Sequence, residues 1–241
     1  MLVCAGRNEN LCYATPIGVG LVEASLGLAR LLLGGAREVK NIIFVGSAGA
    51  YSKEILIGDM FFSVEATQIE SSFLKGGSYT PIDNVVKMEE LDFDTFGVVL
   101  GKKFFCDKNN AMDNVADMEQ KNAKKNVSYE TFKTLAQQNI KKSSTIKRQI
   151  KSAVVNSSNY ITTDEGVARQ MVRAGILLEN MEFFAVMKVA QAFAVPVMGI
   201  FCVTNYCDEN AHKDFLENHS EAKSRLEDLI QNILPRSCEN K

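Results

Sequence analysis

Three polar features of this chain stand beside apolar runs able to hold them still. The run Val195–Asn205, VPVMGIFCVTN, is apolar over the length of a buried strand. Its carboxyl end carries Thr204–Asn205, at the end where open α/β sheets bind their ligands. Asn205 is therefore a candidate site residue, able to donate and accept hydrogen bonds but not to act as a general acid. The second feature, Gly46-Ser47-Ala48-Gly49-Ala50, follows another strand-like run. Its glycines let backbone N–H groups converge on an anion or a flat ring, and Ser47 adds a hydroxyl donor. It lacks both GxGxxG and the P-loop lysine, so dinucleotide and nucleoside-triphosphate readings fail on residue type. The third feature is Met181–Glu182, in the first turn of a long apolar helix whose dipole favours a carboxylate there.

The elements that must position these groups alternate. Leu2–Ala5 and Leu11–Thr15 flank the turn-rich Gly6–Asn10, which suggests a hairpin or two linked strands. Apolar positions at helical period predict a helix over Leu21–Leu33, stopped at Gly34–Gly35 by a left-handed cap, and Asn41–Val45 is a strand. Strand, helix-sized crossover and strand imply parallel pairing. Met60–Ala66 reads as another strand, with Val98–Leu100 and Phe104–Phe105 as edge elements. Residues 102–150 are rich in Lys, Asn and Gln, with weak helical periodicity and a basic cluster at Lys141–Arg148, and are expected to be a solvated helical insertion. Ala153–Asn156 is a short strand. Thr162 and Glu165 are spaced as a capping box for a helix ending at Arg173 before Gly175, and a second helix spans Met181–Ala194. His219–Leu234 closes the chain as an amphipathic helix.

Composition narrows the ligand. The 241 residues, 46% hydrophobic, suit one α/β domain with a substantial core. A net charge of -2, from 27 basic and 29 acidic residues, gives no field for nucleic acid or an anionic membrane, so small molecules are the expected partners. No apolar run approaches the roughly 20 residues of a membrane span, and Arg7 interrupts any secretory leader. The six cysteines show no CxxC spacing and the histidines number two, which predicts reduced thiols, a cytoplasmic protein and no transition-metal site.

Taken with Ile57-Gly58-Asp59, whose glycine stands nine residues beyond Gly49, the three features resemble the nucleoside phosphorylase/nucleosidase family, and more closely its purine nucleoside phosphorylases. The resemblance covers residues 15–66 and 153–234. It implies a three-layer α/β/α sandwich around a central mixed, partly barrel-like sheet. It also implies a homo-oligomer, dimer to hexamer, and no cofactor besides inorganic phosphate as co-substrate. By the same resemblance Ser47 contacts phosphate while Ala48 and Gly49 line the base. Met181 packs under the sugar, and Glu182 holds the ribose hydroxyls and steadies a developing oxocarbenium ion. Thr204–Asn205 is similar to the branch that handles 6-oxopurines, the amide steadying the leaving purine. His219, fourteen residues beyond Asn205, corresponds to a contact with the ribose 5′-hydroxyl, and Tyr160 to the aromatic that stacks on the purine.

Two departures stand out: Asn180 replaces an acid common in relatives, and Phe44 stands where an arginine often grips phosphate, leaving Arg7 to supply that charge. The implied activity is a pentosyltransferase, purine nucleoside phosphorylase, making free base and ribose 1-phosphate. A purine nucleosidase, hydrolysing a nucleoside or a 5′-modified one such as methylthioadenosine, is the alternative, and a nucleoside-binding member without catalysis is the third reading.

Overall fold

Two long strands form the spine. The structure, a computed structural model, describes residues 1–34, 39–88 and 151–233. Strand β3 (Ile42–Ala50) runs parallel to β10 (Val197–Tyr206), and both alternate between two layers with the period of two that a strand imposes. Ile42, Phe44, Val197, Phe201 and Val203 enter one hydrophobic cluster, while Ile43, Val45, Met198, Ile200 and Cys202 enter the other. Helices α1 (Leu21–Leu33) and α4 (Phe183–Ala192) cover the first face, and α5 (Ala211–Ile233) covers the second with Ala222, Leu226, Leu229 and Ile230. This is an α/β fold with a helical layer on each side of the sheet.

Among the described residues, β1 (Leu2–Cys4), β2 (Thr15–Pro16), β4 (Met60–Ser63), β5 (Glu65–Thr67), β6 (Val85–Lys87), β7 (Lys151–Ser152), β8 (Val154–Ser157) and β9 (Ile176–Asn180) complete one sheet. Its order is β6-β5-β8-β9-β3-β10-β4-β7, with β1 against β3 and β2. The sheet is mixed: β9 is antiparallel to β3 and β4 antiparallel to β10. Two further helices, α2 (Ser71–Leu74) and α3 (Glu165–Arg173), lie among these strands in sequence.

Strand β3 changes partner along its length. Its start pairs with β1, Val3 opposite Phe44, and its end with β9, Gly49 opposite Glu179. Between them, on that side, side chains replace a strand: Glu9 accepts from the Ser47 N–H (3.3 Å) and the Asn180 amide donates to the Ser47 carbonyl (3.1 Å). Gly46–Ala50 is thus the second half of a strand rather than a loop following it, and its backbone groups are exposed to side chains because β1 has ended and β9 has not yet begun.

Other expectations shift for local reasons. The helix expected from Thr162 begins at Glu165, because Asp164 accepts from the Gly166 and Val167 N–H groups while Thr162 turns to Glu179. Gly34 ends α1 with φ of -72°, so it is not a left-handed cap. Residues 174–180 hold a strand between two helices. Phe44 is fully buried against Phe183 and Phe201, ring centroids 6.0 and 5.9 Å away, on the face of β3 turned from Ser47. The expected edge strands at Val98–Leu100 and Phe104–Phe105 and the insertion near 102–150 lie outside the described residues.

Candidate active site

The end of β3, the ends of β9 and β10, the turn after β1 and the start of α5 enclose a cavity of about 300 Å³. That is the low end of the range for sites holding a small molecule. Ser47, Ala48, Gly49, Met181, Glu182, Asn205 and Arg7 line it together. The carboxylate of one helix start and the amide of one strand tip therefore face the same space.

Each side chain is held by its element. Glu182 precedes α4 and is 3% exposed, and its Oε1 accepts from the Gly20 N–H at 2.9 Å. Gly20 caps α1 with φ of 85°, a conformation suited to glycine, so the carboxylate sits at the positive end of that helix. Asn180 caps α4 in turn: its Oδ1 accepts from the Glu182 and Phe183 N–H groups, both at 2.9 Å, while its Nδ2 holds the Ser47 carbonyl. An ionised acid at position 180 would keep the cap but lose that donor. The departure from the usual acid is thus a tie between the glycine strand and the Glu182 turn.

Asn205 owes its direction to a bulge. Val203 pairs with Ala48 and Asn205 with Gly49, so Thr204 is the extra residue, and Asn205 joins the face that carries Ser47. Thr204 is fully buried behind the cavity and donates to Asn205 Oδ1 at 2.9 Å, while Asn205 Nδ2 donates to the Tyr206 carbonyl at 3.1 Å. A Cβ on Gly49 would lie 2.9 Å from Asn205 Nδ2 and 3.0 Å from Cys207 Sγ, so only glycine leaves a slot there.

Two lining carboxylates were not anticipated from the sequence. Glu9 reaches from the turn after β1 to Ser47, and its Oε1 accepts from both the hydroxyl and the N–H of that serine. Its Oε2 accepts from none of the described residues. Glu179, in the unforeseen β9, accepts from the Tyr51 hydroxyl (2.8 Å), from the Thr162 N–H (2.9 Å) and from the Thr162 hydroxyl. Those donors occupy Glu179, which braces the cavity floor. Burial pushes the Glu182 carboxyl up from its ordinary 4.5 to about 7; the Gly20 N–H opposes the rise and the nearby Glu9 charge adds to it. Burial also raises the Glu9 and Glu179 carboxyls, against the hydrogen bonds from Ser47 and from Thr162 and Tyr51.

Three expected site residues do not line the cavity: Thr204, buried behind it, Tyr160 and His219. Tyr160 is 76% exposed and lines a different depression, beside Glu70 and Thr162, because its strand has ended; its neighbour Ile161 reaches the cavity instead. His219 sits beyond the cavity with its ring 5.3 Å from that of Phe215. His212 and Phe215 line the cavity in its stead. Seven helical residues span about 10 Å, and His219, that far along α5 from His212, lies over a small neighbouring depression that Glu9 and Ser47 also line.

A sequence profile of the phosphorylase superfamily matches residues 3–235. The chain belongs to the phosphorylase superfamily. No curated protein matches the sequence. Among solved structures of the superfamily fold, the futalosine hydrolase of Helicobacter pylori strain 26695 is similar, with a TM-score of 0.63 and 14% identity over 96% of this chain and 95% of that one. The 5′-methylthioadenosine/S-adenosylhomocysteine nucleosidase of Helicobacter pylori gives 0.62 and 15% over 96% and 95%. The S-adenosylhomocysteine nucleosidase of Streptococcus pyogenes gives 0.63 and 14% over 97% and 96%. Identities this low establish the shared fold. Their names nonetheless correct the expectation of a pentosyltransferase: these neighbours are a hydrolase and two nucleosidases. In this site the Ser47 donors that the resemblance assigns to phosphate are turned to the Glu9 carboxylate.

Among the described residues no cluster of His, Cys, Asp and Glu is placed to hold a metal, and no helix is long and apolar enough to cross a membrane.

Proposed function

We propose that this protein hydrolyses the N-glycosidic bond of a purine ribonucleoside, releasing free base and ribose. The observation that carries the reading is the Glu9 carboxylate on Ser47, in one cavity with Glu182 and Asn205. Glu9 has an oxygen, Oε2, that accepts from none of the described residues, and a carboxyl raised by burial, which suits a general base for water. Water attacks C1′ as Glu9 takes its proton. The C1′–N9 bond breaks with its electron pair passing to the purine. Ionised Glu182 accepts the ribose hydroxyls and stabilises positive charge on the sugar, with Met181 packed beneath it. Asn205 donates to the purine and the departing base takes its proton from solvent. Once N7 of the departing base has taken that proton, the amide oxygen accepts from N7–H beside the 6-oxo group, so hypoxanthine or guanine nucleosides are the preferred class. The homo-oligomer implied by the resemblance belongs to the same reading, and its mass is measurable by sedimentation.

The test supplies inosine with and without phosphate. Hypoxanthine and free ribose are expected in equal amounts under both conditions, with no ribose 1-phosphate. E9Q is expected to lower kcat about 100-fold with a smaller change in KM. Ribose 1-phosphate as product, or full activity of E9Q, overturns the proposal.

A further inference from the structure

The cavity carries both signs of charge. Glu179 and Glu182 line it from β9 and the start of α4, whereas Arg7 and His212 line it from the turn after β1, which also carries Glu9 on Ser47, and from α5. Arg7 sits at the tip of a tight turn, closed by the Glu9 N–H on the Gly6 carbonyl at 3.0 Å, and adopts φ of 55°. Such a left-handed conformation is costly for a residue with a side chain, and it recurs at ligand sites. Neither the Arg7 guanidinium nor the His212 ring makes a hydrogen bond or ion pair with the described residues, although three acids line the same space. His212 is the second residue of the 23-residue helix α5, whose positive end thus opens on the same corner.

We propose that the nucleoside cleaved here carries an anionic group on C5′, a carboxylate or a phosphate, gripped by Arg7, His212 and the first turn of α5. This rests on the nucleosidase reading, which fixes the orientation. Glu182 is anchored on the N-terminus of α1, on one face of the sheet, and takes the hydroxyl edge of the ribose. C5′ leaves the ring away from the C2′ hydroxyl and so points toward α5, on the other face. Phe215, one turn on from His212 in α5, gives the methylene an apolar wall there. The guanidinium offers a bidentate fork, and imidazole offers an N–H donor in either protonation state. An anion turned toward β9 and the start of α4 meets Glu179 and Glu182 instead, so the same charge that binds at Arg7 and His212 enforces a single orientation.

Equilibrium binding to the full chain tests this without depending on turnover. Inosine, inosine 5′-monophosphate and inosine 5′-carboxylate are titrated at low ionic strength into the native protein, R7Q and H212Q, and base release is followed in parallel. One or both anionic nucleosides are expected to bind at least about tenfold more tightly than inosine, as charge-assisted bonds allow. The ratio is expected to collapse toward one in R7Q and to fall severalfold in H212Q, and the tighter of the two ligands identifies the anion. Equal affinities in the native protein, or an unchanged ratio in both variants, overturn the inference whether or not inosine is hydrolysed. Anion-selective binding lost in R7Q supports it; if base is then never released, the nucleosidase reading alone has failed.

Discussion

Replacing Glu182 by Gln tests the energetics of the site directly. A carboxyl moved from 4.5 to about 7 by burial is ionised in the folded protein only against a penalty, which corresponds to about 3 kcal/mol once both states are fully ionised. The sign follows from the direction of the shift. Because the folded value is the higher one, the neutral carboxyl supports folding below 4.5, and that support is lost as pH rises through about 7. E182Q removes the titration yet keeps an amide oxygen for the Gly20 N–H, so its stability lacks this dependence. Urea-unfolding free energies of both proteins, measured at pH 5 and pH 8, are expected to separate with rising pH. E182Q should gain about 2–3 kcal/mol on the native protein over that interval. Activity should move the opposite way. The ionised carboxylate is the form that steadies the sugar, so native kcat/KM should rise through about pH 7, and E182Q should lose about 100-fold or more at pH 8. A difference in stability that stays flat or narrows with pH would show that Glu182 is ordinarily solvated and would refute the burial account.

Two further outcomes follow from the same contacts. N205D keeps the Thr204 bond but sets a carboxyl against the Tyr206 carbonyl, which favours the protonated acid; adenosine hydrolysis relative to inosine should rise about tenfold or more in product assays, and an unaltered ratio removes Asn205 from base selection. N180D keeps the α4 cap and loses the donor to the Ser47 carbonyl, so chemical denaturation should show a loss of about 1–3 kcal/mol together with a lower kcat, and native stability would detach Asn180 from the strand.

Much of the architecture was legible because apolar period survives folding. Leu21–Leu33 and the long strand ending near Asn205 were visible as a helical stripe and a continuous apolar run, since both must bury those residues whatever their neighbours are. Strand β9 was hidden because a single Gly175 and five residues between two helices read as a connection. The end of β3 was hidden because glycine and serine signal a loop, and only the change of partner from β1 to β9 makes that segment a strand with open edges.

The sequence by itself determined which residue types were available: a serine between glycines, a Met-Glu pair before a helix, an amide closing a strand. Local preference and burial are written in the order of residues, so these could be read in one dimension. The tertiary structure alone decided what they meet. Glu9 lies 38 residues before Ser47 and Gly20 lies 162 before Glu182, and only the packing of β1 beside β3 and of α1 beside α4 brings them together. That convergence turned an expected phosphate cradle into a serine already held by a carboxylate, because a hydrogen bond is specified by distance in space and not by distance along the chain.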